Sequence, residues 1–178
     1  MDSTQDRAGE SGAPQHLVGG LNVAILAWPG CDPEHVRGTK ASLEELGANV
    51  QILSAAKGPV ARAGSLDAVM AVAAADPAGF DAVVLPGGVE AAERLGADDG
   101  GLTFLRSLAA DQKPLAAIGE SVPLLQREAA GDRLLLTAGP GDDLAQFHRQ
   151  LLQLLAQRRR DAFVTHADDL PSAVGEDG

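Results

Sequence analysis

Two short stretches of this chain, Leu21–Ala27 and Phe80–Leu85, are apolar almost without interruption. The first lies between Gly-Gly and Pro-Gly, the second between Gly79 and Pro-Gly-Gly. A strand with one wet face alternates apolar and polar residues, so a continuous apolar run of strand length is covered on both faces. Strands of that kind belong to parallel sheets sandwiched between helices, and the two runs are expected side by side at the centre of one. The remaining segments fit that frame. Asn49–Ser54, Leu115–Ile118 and Leu134–Thr137 read as further strands. Pro33–Leu46, Leu66–Ala75, Ala91–Leu95, Gly101–Asp111, Val122–Ala130 and Asp142–Arg160 read as helices, the last with Leu144, Phe147, Leu151, Leu152 and Leu155 on one face. Strands alternating with helices predict an α/β, flavodoxin-like, doubly wound parallel sheet of about five strands in a three-layer sandwich.

Residues 1–20 are polar and rich in Gly, Ser and Asp, and those from 164 to 178 are similar. Both are expected to be disordered tails flanking one domain over 21–163. Across 178 residues the net charge is −11, which disfavours nucleic acid and anionic membranes as partners. The Arg158-Arg159-Arg160 cluster is expected at a helix end, where cations suit the dipole. No apolar run approaches the ~20 residues that span a bilayer. One cysteine, Cys31, cannot form an internal disulfide. With no signal-peptide pattern at residues 1–20, a cytoplasmic protein is expected.

Ligands of doubly wound folds bind beyond the carboxyl ends of the strands. Four loops therefore define the expected site: Trp28–Glu34, Pro86–Glu90, Gly119–Ser121 and Ala138–Asp143. The run from Lys113 to Leu125 reads as a strand, a sharp turn at Gly119 and a helix beginning near Glu120. Gly119 has no side chain to react, and glycine also suits a turn that needs positive φ. Glu120, Ser121 and Pro123 fit a helix start as dipole partner, cap and first-turn proline; alternatively, Ser121 is a displaced nucleophile. Cys31 either packs half-buried or acts as a thiol in the same crevice, a use that Asp32 and Glu34 oppose electrostatically. The Gly87-Gly88 amides either bind an anion or simply turn the chain. His35 and His148 read as isolated helix-surface residues, and with Asp142-Asp143 they give no metal-ligand spacing. A flavin or nucleotide phosphate would meet Asp32 and Glu34 in the first loop, and aromatics make up 3% of the chain, so no cofactor is expected.

Four segments in order, Val23-Ala-Ile-Leu26, Leu43-Glu-Glu-Leu-Gly-Ala48, Asp81-Ala-Val-Val-Leu-Pro-Gly-Gly88 and Lys113-Pro-Leu-Ala-Ala-Ile118, resemble the PfpI superfamily. That group shares the class I glutamine amidotransferase-like fold and includes intracellular proteases, deglycases, glyoxalases and redox-responsive chaperones. Its active members carry Ala-Ile-Cys-His-Gly at the elbow, where this chain has Ala117-Ile-Gly-Glu-Ser121. The resemblance implies that Gly119 stands where the nucleophile would be and Glu120 where the histidine would be. It also implies that Asp32 matches the cysteine's carboxylate partner and that Gly87-Gly88 are the oxyanion-loop glycines. The elbow and the short Gly131–Gly141 segment are similar to the C-terminal domain of large-subunit catalases, as is the ending Phe147–Ala162. In those enzymes haem and peroxide chemistry belong to a separate β-barrel that nothing here matches, and this chain has no tyrosine to ligate haem.

The resemblance thus implies a non-catalytic domain standing alone and acting in oligomerisation, partner stabilisation or chaperone-like protection. The alternative is a residual hydrolase or glyoxalase-like enzyme using Cys31 or Ser121.

Overall fold

The computed structural model describes residues 19–60, 66–129, 135–139 and 141–168, with 161–168 as helical backbone only. Its strands are β1 (Asn22–Leu26), β2 (Asn49–Ser54), β3 (Gly58–Pro59), β4 (Asp67–Ala68), β5 (Met70–Ala71), β6 (Ala82–Leu85), β7 (Leu115–Ile118) and β8 (Leu135–Ala138). Its α-helices are α1 (Pro33–Glu45), α2 (Val89–Gly96), α3 (Asp99–Ala110), α4 (Val122–Glu128) and α5 (Leu144–Asp168).

Six strands form one parallel sheet in the order β5-β2-β1-β6-β7-β8. β1 and β6 are adjacent at its centre, with Val23, Ala24 and Ile25 opposite Ala82, Val83 and Val84. Residues 23–26 and 82–85 are buried throughout, as continuous apolar runs require. The chain leaves β1 towards β2 and leaves β6 towards β7. Right-handed crossovers then place α1 on one face and α2, α3 and α4 on the other. Packing agrees: α5 returns to lie against α1, while α3 lies against α4. Phe147, Leu151 and Leu155 are the residues through which α5 enters the core.

The helix expected over Leu66–Ala75 is absent. Asp67–Ala68 pairs antiparallel with Gly58–Pro59, and Met70–Ala71 forms a sixth strand beside Leu53 and Ser54. A 3₁₀ turn covers Val72–Ala74. Helix propensity, highest for alanine, is a weak preference that tertiary pairing overrides, and the open edge of β2 offers Val69 and its neighbours ladder hydrogen bonds, including Val69 N–H to Ile52 C=O at 2.8 Å. Leu66 and Ala68 are buried while Asp67 and Val69 face outwards, the period of a strand.

The other boundaries shift modestly. α3 begins at Asp99 because Asp98 caps it, its Oδ1 accepting from the Gly100 and Gly101 amides. The second oxygen of Asp98 accepts from Trp28 Nε1 at 3.1 Å, tying the loop after β1 to the start of α3. The last strand is Leu135–Ala138; Leu134, like Ala130 at the end of the expected α4, lies outside the described residues. The closing helix runs to Asp168 rather than stopping at Arg160, because nothing after Arg160 breaks it. Arg158–Arg160 are therefore inside a helix and do not complement its end. Residues 164–168, expected in a tail, continue that helix; residues 1–18 and 169–178 lie outside the described residues.

Candidate functional site

The site is built where β1, β6 and β7 deliver their carboxyl ends. β7 stops at Ile118 because Gly119 turns to φ +60°, and a 3₁₀ turn over Gly119–Ser121 feeds α4. A Cβ on Gly119 would find its nearest neighbour, Gly87 Cα, at 3.7 Å. The elbow thus has space for a side chain and carries none.

Facing it is the loop after β6. Gly88 adopts φ +125°, and a Cβ there would lie 2.4 Å from Gly30 C=O and 2.9 Å from Cys31 Cα. Only glycine allows the two loops to approach this closely. Asp32 N–H donating to Gly87 C=O at 2.8 Å holds them together.

The two amides of Gly87 and Gly88 are already engaged. Gly88 N–H donates to Glu120 Oε1 at 2.7 Å, and Gly87 N–H donates to His35 Nδ1 at 2.9 Å. A backbone N–H can only donate, so Nδ1 is the accepting nitrogen and the hydrogen of the neutral ring sits on Nε2. That nitrogen faces Asp32 Oδ2 at 3.4 Å. Asp32 also caps α1 through Oδ1, which accepts from Glu34 N–H at 2.9 Å. Glu120 therefore sits at the start of α2, of which Gly88 is the N-cap, and not at the helix that follows it in sequence.

Ser121 does not cap α4. Its hydroxyl is buried and donates to Pro86 C=O at 2.6 Å, because the short turn aims it back at the β6 loop. That bond commits the hydroxyl proton to a carbonyl that cannot act as a general base.

Cys31 is buried, and desolvation raises its thiol to about 11; its own backbone hydrogen bond lowers it partly, and the nearby Asp32 charge raises it further. Little thiolate exists at neutral pH in such a setting. Cys31 lines a cavity of about 590 Å³ with Pro29, Gly30, Pro33, Pro59, Val60 and Glu90. None of Gly119, Glu120 and Ser121 lines that cavity.

Neither histidine is the isolated surface residue the sequence suggests. His35, its side chain 15% exposed, belongs to the site. His148 packs across α1, with Nε2 at 3.0 Å from Thr39 Oγ1 and Nδ1 at 3.3 Å from Ser42 Oγ. Burial lowers its pKa, and a protonated His35 lowers it further. The missed signal is helical spacing. His35, Thr39 and Ser42 follow at four and three residues along α1, on the stripe that also buries Val36 and Leu43. Asp142 and Asp143 act locally, accepting from the Gly139 and Ala145 amides. Among the described residues no three His, Cys, Asp or Glu side chains gather as a metal site.

The model of the DJ-1/PfpI family matches residues 22–160. The chain belongs to the DJ-1/PfpI family. Oxidised DJ-1 from Toxoplasma gondii superposes with a TM-score of 0.68 at 16% identity, over 83% of this chain and 98% of that one. DJ-1beta from Drosophila melanogaster gives 0.63 at 17%, over 80% and 95%. A two-domain protein from Anabaena variabilis with DJ-1/ThiJ/PfpI-like and ferritin-like domains gives 0.54 at 24%, over 61% of this chain. This DJ-1/PfpI chain spans 32% of that protein's length. At these identities the shared property is the fold. No curated protein matches the chain.

Proposed function

We propose that this DJ-1/PfpI chain is a non-catalytic domain of the type appended to large-subunit catalases. Its role would be in protein contacts: self-association, stabilisation of a partner, or holdase-like protection. The observation that carries this reading is the elbow itself. Gly119 offers no nucleophile, and the facing Gly87 and Gly88 amides are satisfied by His35 and Glu120 of the same chain. Covalent catalysis needs an activated side chain beside free oxyanion donors. The rival reading, hydrolysis or glyoxalase chemistry at Cys31 or Ser121, meets a thiol raised to about 11 and a hydroxyl bonded to a carbonyl. A net charge of −11 supports protein rather than nucleic-acid or membrane partners. Among the described residues no helix is long and apolar enough to cross a membrane.

The test is twofold. The purified chain is assayed for turnover of methylglyoxal and of ester substrates, and for suppression of thermal aggregation of a model client. We expect no turnover, together with protection or a defined oligomer by light scattering. Turnover that Cys31→Ala or Ser121→Ala abolishes would replace this reading with the enzymatic one.

A further inference from the structure

We propose that His35 is a proton-operated latch: its neutral ring holds the loop after β6 closed, and its protonation releases the Gly87 and Gly88 amides together. The geometry is specific. Gly87 N–H donates to Nδ1 at 2.9 Å, a bond that exists only while Nδ1 has a free lone pair. A proton taken from solvent onto Nδ1 turns the acceptor into a donor and sets two N–H groups head to head. The bond must then break.

The new N–H needs an acceptor, and one is at hand. A Cβ on Gly87 would lie 2.8 Å from Nδ1 and 3.2 Å from Glu120 Oε1, so ring and carboxylate converge on the same point. Glu120 Oε1 is the atom that holds Gly88 N–H at 2.7 Å. An imidazolium offers it a charge-assisted partner, stronger than a neutral amide. Drawing Glu120 onto His35 strips the second amide as well. No covalent bond changes; one solvent proton moves two hydrogen bonds.

The ionisable neighbours of His35 can be named. Asp32 Oδ2, on the same turn, lies 3.4 Å from Nε2. Glu120, from the elbow, carries the other facing carboxylate. Cys31, from the loop before α1, is neutral. His148, from α5, is electrostatically coupled to His35 and, when charged, opposes it. The Gly87-Gly88 pair, masked while the ring is neutral, becomes a pair of free donors when the ring is charged. The latch holds whether or not the chain is an enzyme.

The experiment is a pH titration of the full chain by NMR, from about pH 8 to about pH 5. It follows the Gly87 and Gly88 amides and the His35 ring carbons. We expect both amides to shift with the midpoint of the His35 ring. Their exchange, corrected for its intrinsic pH dependence, should become roughly tenfold faster, the order of one lost hydrogen bond. In His35→Gln, whose carbonyl accepts from Gly87 at every pH, both amides should stay fixed. In Glu120→Gln the Gly87 response should remain. Amides that stay fixed while the His35 ring titrates would overturn the proposal, as would a ring neutral down to pH 5 or unchanged titration in His35→Gln. Should His35→Gln fail to fold, the wild-type titration alone decides.

Discussion

Replacing Gly88 with alanine should cost far more stability than the same change at Gly119, although both glycines have positive φ. At Gly88 φ is +125°, a region that L side chains rarely adopt, and forcing it costs ~1–3 kcal/mol. The added Cβ would also sit 2.4 Å from Gly30 C=O and 2.9 Å from Cys31 Cα, so two backbones must part. Such overpacking costs a further ~1–3 kcal/mol. At Gly119 φ is +60°, inside the left-handed region, where an ordinary residue loses ~1–2 kcal/mol. Its Cβ would meet nothing closer than 3.7 Å. Gly88→Ala should therefore lose roughly 3–5 kcal/mol and Gly119→Ala about a third of that. At ~2–4 °C per kcal/mol, the melting temperatures should fall by about 10 °C or more and by about 4 °C. Urea unfolding of both variants beside the parent, at matched m-values, measures the difference. Losses within ~1 kcal/mol of each other would refute the claim that close approach of the two loops, rather than φ alone, demands glycine at 88.

Three further outcomes are expected. Gly119→Cys should show no turnover of methylglyoxal or esters, because Glu120 beside it raises a thiol's pKa and supplies no imidazole; turnover assays of variant and parent read this. Burial holds the pKa of His148 below its ordinary 6.5, so its stabilising contribution is complete above that value and is lost as pH falls through the folded value. Urea midpoints from about pH 7.5 to about pH 5 should decline, and less steeply in His148→Gln. Cys31, raised to about 11, should alkylate with iodoacetamide at pH 8 at least tenfold more slowly than a free thiol, by an order-of-magnitude argument from thiolate fraction; thiol mass spectrometry over time measures it.

The central strands were legible because burial on both faces writes itself as an unbroken apolar run. β1 and β6 are adjacent where their composition puts them, and of the residues its periodicity picks out α5 buries Phe147, Leu151 and Leu155 and half-buries Leu144 and Leu152. Leu66–Ala75 was misread because alanine has a local helical preference, while its actual state depends on an edge of β2 that is distant in sequence. At the site, Gly119 and Gly88 were readable, since a positive φ selects glycine itself. Glu120 and Ser121 were assigned to the helix they begin, yet both side chains turn back to the β6 loop. A cap looks the same in sequence whichever helix or loop the side chain serves. The bond from His35 to a backbone amide leaves no mark in the residue pattern; only the helical spacing of His35 with Thr39 and Ser42 points it inwards.

The bond from Trp28 to Asp98 makes this chain its own fluorescent probe. Trp28 is the one tryptophan, and no tyrosine competes with its emission. Its ring is 2% exposed, in the loop that leads into Cys31 and Asp32, and its Nε1 hydrogen is held by the carboxylate that caps α3. Movement of that loop against α3 changes both the polarity around the indole and its hydrogen bond. The emission maximum and quantum yield of the unlabelled protein thus report, in real time and from a single position, on the junction beside the elbow.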